Sequence, residues 1–374
     1  MRVLGLCTYP VEAAATRFRM RQFVEPLRER DIELEIKPFL SSGQFRELYK
    51  KGRIAGKALS MIGPFARRVG QIFDLGQYDL IFIQREAMIF GPGMFESLYQ
   101  TIGHLPIVLD LDDATYVRYL SPTYGRFGRC FKFFGKVDNL IKRADAVICG
   151  NRFVAAYVET LGTRAVVIPT VVDTEKFHPV EKHNEVPVVG WIGTHSTFPF
   201  LESIFPVLKR LAQTHKFLLR IVGAGREVSA DGLEIENRDW NLEREIDDFQ
   251  GLDIGLYPIV VTDSVSRELL QGKSGFKAIQ YMAVGVPFVM SPIGVGGELV
   301  GKNICYFNAA SDDDWYNTID SLLRSAELRR EMGMRGRCQS IGEFTISPQV
   351  DKLAGVFERV VAEFDERKSG CKDG

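Results

Sequence analysis

The sequence predicts an α/β protein built from two doubly wound domains in tandem. Three observations carry that expectation. Through the first half, short and almost wholly apolar strands alternate with amphipathic stretches, the pattern of a parallel sheet covered on both faces. The alternation pauses at a polar, proline-punctuated connection from Pro169 to Pro187 and then restarts. Finally, 374 residues are too many for one ordinary core.

The first-half strands are Val3–Tyr9, Glu33–Phe39, Leu80–Gln84, Ile107–Leu111, Ala146–Cys149 and Ala165–Pro169. Amphipathic helices fall between them at Arg17–Arg30, Phe127–Arg143 and Phe153–Leu161. In the second half, strands at Val188–Ile192, Phe217–Val222 and Asp253–Tyr257 alternate with helices at Leu201–Gln213 and Leu242–Gln250. A short helix opened near Ser274 and closed by Gly285-Val286-Pro287 then runs into an apolar strand, followed by a strand at Ile304–Asn308 and a helix across Asp313–Arg324. The expected organisation is a Rossmann-like domain over 1–170, a linker over 171–187 and a second Rossmann-like domain over 188–347. An amphipathic helix over 348–364 and a disordered tail over 365–374 complete it. Two such sheets set a cleft between their carboxyl ends.

Composition excludes several classes. With 45% hydrophobic residues, 25% charged residues and a net charge of −1, the chain reads as soluble and globular, not as a nucleic-acid binder. Six scattered cysteines without a nearby histidine pattern point to reduced thiols in a cytoplasmic protein rather than to disulfides or zinc. Met1-Arg2 leads straight into a strand, so no signal peptide is expected, and no apolar run approaches the roughly 20 residues of a membrane span.

The chemistry is expected first in an acid-free segment, Gly272-Lys273-Ser274-Gly275-Phe276-Lys277-Ala278-Ile279-Gln280. A cation in the first turn of a helix opposes the dipole by about 0.3–1 kcal/mol, and the free N–H groups there favour an anion. Lys273, Lys277 and Gln280 share one face, beside the N–H groups of Ser274, Gly275, Phe276 and Lys277, and together they suit a diphosphate and a ribose hydroxyl. A solvated lysine pair is the plainer alternative.

Three further turns line the second domain. Gly193 lets a ligand approach the backbone, Thr194 and His195 follow it as candidate donor contacts (a lone loop histidine being equally an incidental one), and Ser196 or Thr197 is placed to cap the next helix. Gly223 and Gly225 begin like a dinucleotide fingerprint but lack its third glycine, so NAD is poorly supported. Pro258 turns the chain at the cleft rim, and the loop Ile259–Gln271 is placed to fold over a ligand.

In the first domain, Arg17 and Arg19 are read in the opening turn of a helix, a second anion site for an acceptor or simply solvated arginines. Asp110, Asp112 and Asp113 end the fourth strand, where they suit a divalent metal or, equally, hydrogen bonds to hydroxyls or to Arg85. Two basic stretches, 46–68 and 126–136, interleave cations with apolar residues. They fit either an anionic membrane surface or ordinary amphipathic helices.

These residues resemble a known group. Gly150-Asn151, the run Val167 to Phe177, Val189-Gly190-Trp191-Ile192-Gly193, Ile221 to Gly225, Asp253 to Pro258, and Lys273 to Pro292 with Gly294 are similar, in order and spacing, to glycosyltransferase family 4 of bacterial type. The resemblance implies the GT-B fold and metal-independent, retaining transfer from a nucleotide-diphosphate sugar, the co-substrate in place of any cofactor. The acceptor it implies is a saccharide or lipid-linked, in cell-envelope polysaccharide or glycolipid synthesis. By similarity, Lys273, Lys277 and the N–H groups near Ser274 and Gly275 neutralise the departing diphosphate, Gln280 faces the ribose, and the Gly193 turn passes the phosphates. It also implies that the last helix crosses back to the first domain. Two glutamates common in the family are replaced by Gly272 and Gln280. The cations common in the Gly193 loop are missing from Thr194-His195-Ser196-Thr197. The usual first-domain histidine has no clear match, and Asp112 or Asp113 is the stand-in. A nucleotide-sugar epimerase of the same fold, or a non-catalytic relative, is the rival expectation.

Overall fold

In a computed structural model, the structure describes residues 1–48, 52, 54–118, 135–261, 266–294 and 306–370. The chain divides into two compact units. The first holds Met1–Thr170, the short segment Gly272–Ser274 and the chain from Ile346 onward. The second holds Val171–Gln271 and Gly275–Thr345, so the contact division falls before the expected linker rather than within it.

The first unit is a parallel sheet of β1 (Arg2–Cys7), β2 (Glu33–Pro38), β3 (Leu80–Gln84), β4 (Ile107–Leu111), β5 (Ala146–Cys149) and β6 (Ala165–Val167). Their order is β2-β1-β3-β4-β5-β6. Strands β3, β4 and β5 are buried along their whole length, which is why each reads as an uninterrupted apolar run. The expected helix Arg17–Arg30 is broken. It consists of α1 (Ala14–Arg19), a 3-10 turn over Arg21–Phe23 and α2 (Val24–Arg28). Four helices follow: α3 (Ser42–Leu48), α4 (Ile54–Ser60), α5 (Ile62–Gly70) and, after a 3-10 segment Gln71–Gln77, α6 (Met94–Gly103). Two more, α7 (Lys136–Arg143) and α8 (Arg152–Thr160), cover the later strands. Asn151 caps α8 by accepting the Val154 N–H at 2.9 Å.

The second unit is a parallel sheet of β7 (Val188–Ile192), β8 (Leu218–Val222), β9 (Ile235–Arg238), β10 (Ile254–Tyr257), β11 (Phe288–Met290) and β12 (Tyr306–Asn308). Its order is β12-β11-β10-β7-β8-β9. Counted from its own first strand this is the doubly wound order 3-2-1-4-5-6, with the switch point between β7 and β10. Its helices are α9 (Phe198–Glu202), α10 (Phe205–Ala212), α11 (Glu245–Gln250), α12 (Arg267–Gln271), α13 (Phe276–Ala283), α14 (Asp312–Arg324) and α15 (Ala326–Glu343). The expected helix Leu201–Gln213 is two helices, α9 and α10, each with a proline in its first turn.

The C-terminal helix α16 (Ile346–Gly370) belongs to the first unit, where Phe357 packs edge-on against Phe82 at 5.1 Å. It runs through Asp365 to Gly370, so the tail expected to be disordered from 365 is helical over those six residues. Among the described residues no helix is long and apolar enough to cross a membrane. Lys50, Lys51 and Arg53, most of the basic stretch 126–136, and part of the loop expected over the ligand lie outside the described residues.

Candidate functional site

In the second unit, the site residues gather at the carboxyl ends of the strands that flank the switch point. Gly193 follows β7 and Pro258 follows β10, and these two strands are paired. Helix α13 lies over the same junction because Tyr281 fits against the bare backbone of Gly255, where a Cβ would come within 2.7 Å of its ring. The buried Tyr281 hydroxyl donates to the Leu256 carbonyl at 3.2 Å. A helix between two parallel strands runs antiparallel to them, so its N-terminus arrives at their carboxyl ends.

That N-terminus holds Gly275, Phe276, Lys277 and Gln280, residues singled out from the sequence. Gly275 is the N-cap in the left-handed region (φ 63°), a conformation that a side chain strains. Lys277 stands in the first turn, and its Nζ donates to Gln280 Oε1 at 3.0 Å and lies 5.0 Å over the ring of Phe249. Gln280 is fully buried, and its Nε2 has no hydrogen-bond partner among the described residues. The bond from Lys277 fixes the orientation of the amide, since a flipped Gln280 would set two donors against each other. Phe276 is half-buried at the first position of the helix.

The turns after β7 and β8 meet each other at the carboxyl ends of the same sheet. Gly223 has φ 83°, and a Cβ there would lie 2.3 Å from the Gly193 carbonyl oxygen, so only glycine closes this turn. A Cβ on Gly225 would reach within 3.2 Å of His195 Cβ, which brings Gly193, His195, Gly223 and Gly225 into one cluster. The expected helix cap is not made. Thr197 Oγ1 instead accepts the Thr194 N–H at 3.1 Å, closing the loop on itself. Pro258 is buried, and the loop after it is partly helical: α12 buries Leu270 against Ile259 and Phe200.

In the first unit the expected arginine pair is placed differently. Helix α1 starts at Ala14, so Arg17 and Arg19 close the helix instead of opening it, where the dipole favours them. Arg19 is buried; its guanidinium holds Asp110 with both Nε and Nη2 and donates to the Ile168 carbonyl at 2.7 Å. Arg17 donates to the Glu12 carbonyl at 2.9 Å. The dipole reasoning for an anion site there is therefore corrected by the position of the helix start.

The strand-end carboxylates are bound to arginine. Arg85 adopts φ 61°, unusual for a residue with a side chain, and reaches Asp112 with Nε at 2.5 Å and Nη2 at 2.6 Å. It also reaches Asp113 at 3.0 Å. Burial pushes the Asp112 carboxyl up, but the Arg85 charge and hydrogen bonds more than offset it and hold Asp112 below the usual range. Held this way, Asp112 is a poor proton acceptor. Of the two readings open at this strand end, the structure displays the arginine one. Among the described residues, no group of three or more His, Cys, Asp or Glu side chains is arranged to hold a metal ion.

Asp113 has a second partner that the sequence did not suggest. Its Oδ1 accepts the Ser274 N–H at 3.0 Å, and Asn151 Nδ2 donates to the Gly272 carbonyl at 3.0 Å. The segment Gly272–Ser274, free of acids in sequence, thus receives one from 161 residues away.

No family model matches this chain, and no curated protein matches it in sequence. Solved structures do match. Sucrose-phosphate synthase from Thermosynechococcus elongatus is 15% identical, with 97% of this chain and 100% of that one covered at a TM-score of 0.67. A glycosyltransferase from Rickettsia africae is 13% identical, with 96% and 98% covered at 0.66. HepE from Anabaena, in complex with UDP and glucose, is 14% identical, with 96% and 99% covered at 0.62. The chain has the GT-B fold.

The two positions where the resemblance led to an expectation of glutamate, 272 and 280, have separate physical contexts. At 272 there is no room for any side chain: a Cβ would sit 2.1 Å from Ala114 Cβ. At 280 the side chain is a buried amide whose oxygen accepts a hydrogen bond from Lys277. Ala114 was not singled out from sequence, and Asn151 was named only within the resemblance, without a role. Only Asn151 carried a local signal, a capping residue directly before an amphipathic run.

Proposed function

We propose that this chain transfers a sugar from a nucleotide-diphosphate sugar to a saccharide or lipid-linked acceptor, with retention and without a metal, in cell-envelope polysaccharide or glycolipid synthesis. One observation carries the proposal. At the switch point of the second sheet, the first turn of α13 presents Lys277 beside a buried Gln280 amide with an unused donor, and the glycine turns after β7 and β8 close at the carboxyl ends of the same sheet. Positive charge and N–H donors at a helix N-terminus suit a diphosphate. In a transfer reaction that charge acts most strongly on the departing diphosphate, which lowers the barrier without a strong base. The likeness in fold to HepE, solved with UDP and with UDP-glucose, supports the same ligand class.

The test is titration calorimetry with uridine, guanosine and adenosine diphosphates. Lys277→Ala is expected to weaken the best of them by about 1.5–3 kcal/mol, roughly 10- to 150-fold, the range for hydrogen bonds to charged groups. Unchanged affinity would remove the basis of the proposal. Nucleotide release that requires added acceptor separates a transferase from an epimerase, and tight binding without any turnover identifies a non-catalytic relative.

A further inference from the structure

Within the first unit, a cleft of about 250 Å³ lies between α16 and the β5–β6 edge of the sheet. Ala146 and Val166 form its sheet side, and Val356 and Val360 form its helix side. Gly355 also lines it, in the interior of α16, where glycine is less favourable than any residue but proline. A Cβ at 355 would meet nothing within 4 Å, so no packing contact calls for a glycine there. What the missing side chain leaves is the opening of the cleft. A water molecule takes about 30 Å³ of the liquid, so the cleft holds roughly eight groups of that size, far fewer than a nucleoside diphosphate contains. Its position also sets it apart. Ala146 is the first residue of β5 and Arg164 directly precedes β6, so the cleft lies at the amino ends of these strands. Reacting ligands of open α/β sheets bind at the carboxyl ends, so this cleft serves a different ligand.

Charge selects that ligand. The lining adds three cations, Arg164, Lys352 and Arg359, and no acid. Glu363 answers Arg164, accepting from both of its terminal nitrogens. The same carboxyl is held below the usual range first by Arg164 and, more weakly, by the Arg359 charge. One carboxylate against three cations leaves the cleft positive. Lys352 and Arg359, seven residues apart and so on one helical face, make no hydrogen bond or ion pair among the described residues. Both are exposed, and Gly355 and Val356 lie between them. A cleft with one sign of charge over apolar walls focuses its field on an anion. We propose that this cleft binds a small organic anion, its carboxylate or phosphate held by Lys352 and Arg359 and its apolar body laid against Ala146, Val166, Val356 and Val360. The lining offers no carboxylate, thiol, hydroxyl or imidazole, so the ligand is bound and not converted.

The experiment is an NMR titration of the full chain with hexanoate and hexyl phosphate, with hexanol and inorganic phosphate as probes of each part alone. At least one of the two amphipathic anions is expected to saturate a single site, about tenfold or more tighter than either control, and to weaken with salt. The tighter of the two identifies the oxyanion. Gly355→Leu is expected to abolish binding by filling the cleft, while the thermal unfolding midpoint holds or rises, because leucine favours a helix over glycine. Lys352→Gln combined with Arg359→Gln is expected to weaken the anion about tenfold or more and to leave hexanol unaffected. The proposal is overturned if neither anion saturates, if hexanol binds as tightly as the anions, or if either variant binds like wild type. It is equally overturned by a dimer in sedimentation velocity that Gly355→Leu abolishes, since the cleft would then hold a second copy of the chain.

Discussion

Gly272 stands where the resembling family commonly carries a glutamate, and the structure gives the effect of placing a side chain there. A Cβ at 272 would lie 2.1 Å from Ala114 Cβ and 3.0 and 3.1 Å from Ala114 N and Cα. Carbon atoms rest at about 3.5–4.0 Å, so the two methyl groups of Gly272→Ala must separate by roughly 1.4 Å or more. Neither can rotate away, because each is fixed to its own backbone. The shift must therefore be taken by the main chain, which at 272 is held by Asn151 at 3.0 Å and at 274 by Asp113 at 3.0 Å. Overpacking of this kind costs about 1–3 kcal/mol. For a unit of this size that is a fall of about 2–4 °C per kcal/mol, so roughly 2–12 °C in the first unit's unfolding midpoint by scanning calorimetry. Gly272→Glu is expected to be at least as damaging. Adding Ala114→Gly removes one of the two methyl groups and is expected to restore part of the loss. Gly135→Ala, with nothing within 4 Å of the added Cβ, is the control and is expected to leave the midpoint in place. Wild-type unfolding of Gly272→Ala, or no recovery on adding Ala114→Gly, would refute the packing account.

Two other expectations concern titration and thiols. Asp112 is held below the ordinary aspartate value of 3.8, so its pairing with Arg85 stabilises the fold fully above that value and is lost as pH falls through the lower folded value. Asp112→Asn is therefore expected to lower stability to urea at neutral pH, with the gap to wild type closing below about pH 3.8; a gap constant down through that range would contradict it. Burial pushes the Cys7 thiol up to about 11 and that of Cys149 to about 12, while Cys338 is exposed. Under native, mildly alkaline conditions, mass spectrometry should find Cys338 alkylated well before Cys7 or Cys149, and early labelling of either buried thiol would count against the core packing described.

How much of this was legible in the sequence depended on what each element buries. Strands β3, β4, β5 and β7 were read to the residue because they are buried on both faces and contain nothing but the sheet's own requirements. Strand β9 was missed: Ile235–Arg238 is a half-buried edge held by charge, Arg220 of β8 to Glu236 at 2.7 Å and Arg238 to Asp248 of α11 at 2.9 Å. Helix α15 was missed for a different reason. Its buried side consists of Met332, Gly333, Gly336 and Ser340, and a Cβ on Gly333 would lie 2.1 Å from the Gly285 carbonyl oxygen. It packs by close backbone approach, so it has no apolar stripe to read. The site was legible in part. Glycine turns and the lysine at a helix start are local signals. The pairing of the strand-end aspartates with Arg85 was one of the readings open from sequence, whereas Asp113 to Ser274 is a pairing over 161 residues that no local pattern contains.

Those distant pairings change what the acid-free segment can do. From sequence, every N–H from Ser274 to Lys277 was equally available to an anion. In the structure the Ser274 N–H already faces a carboxylate, and a diphosphate competing for it would meet the charge of Asp113. The first turn of α13 begins after that bond, and there the neighbour of Lys277 is an amide. A carboxylate at 280, 3.0 Å from Nζ, would draw on the lysine by several kcal/mol at an effective dielectric near 20. The amide accepts one hydrogen bond and leaves the positive charge uncancelled by residue 280. On the proposed function, an amide rather than a carboxylate at 280 therefore favours the first turn of α13 as the anion site, and with no Lys or Arg in Thr194–Thr197 a larger share of that role would fall to Lys277.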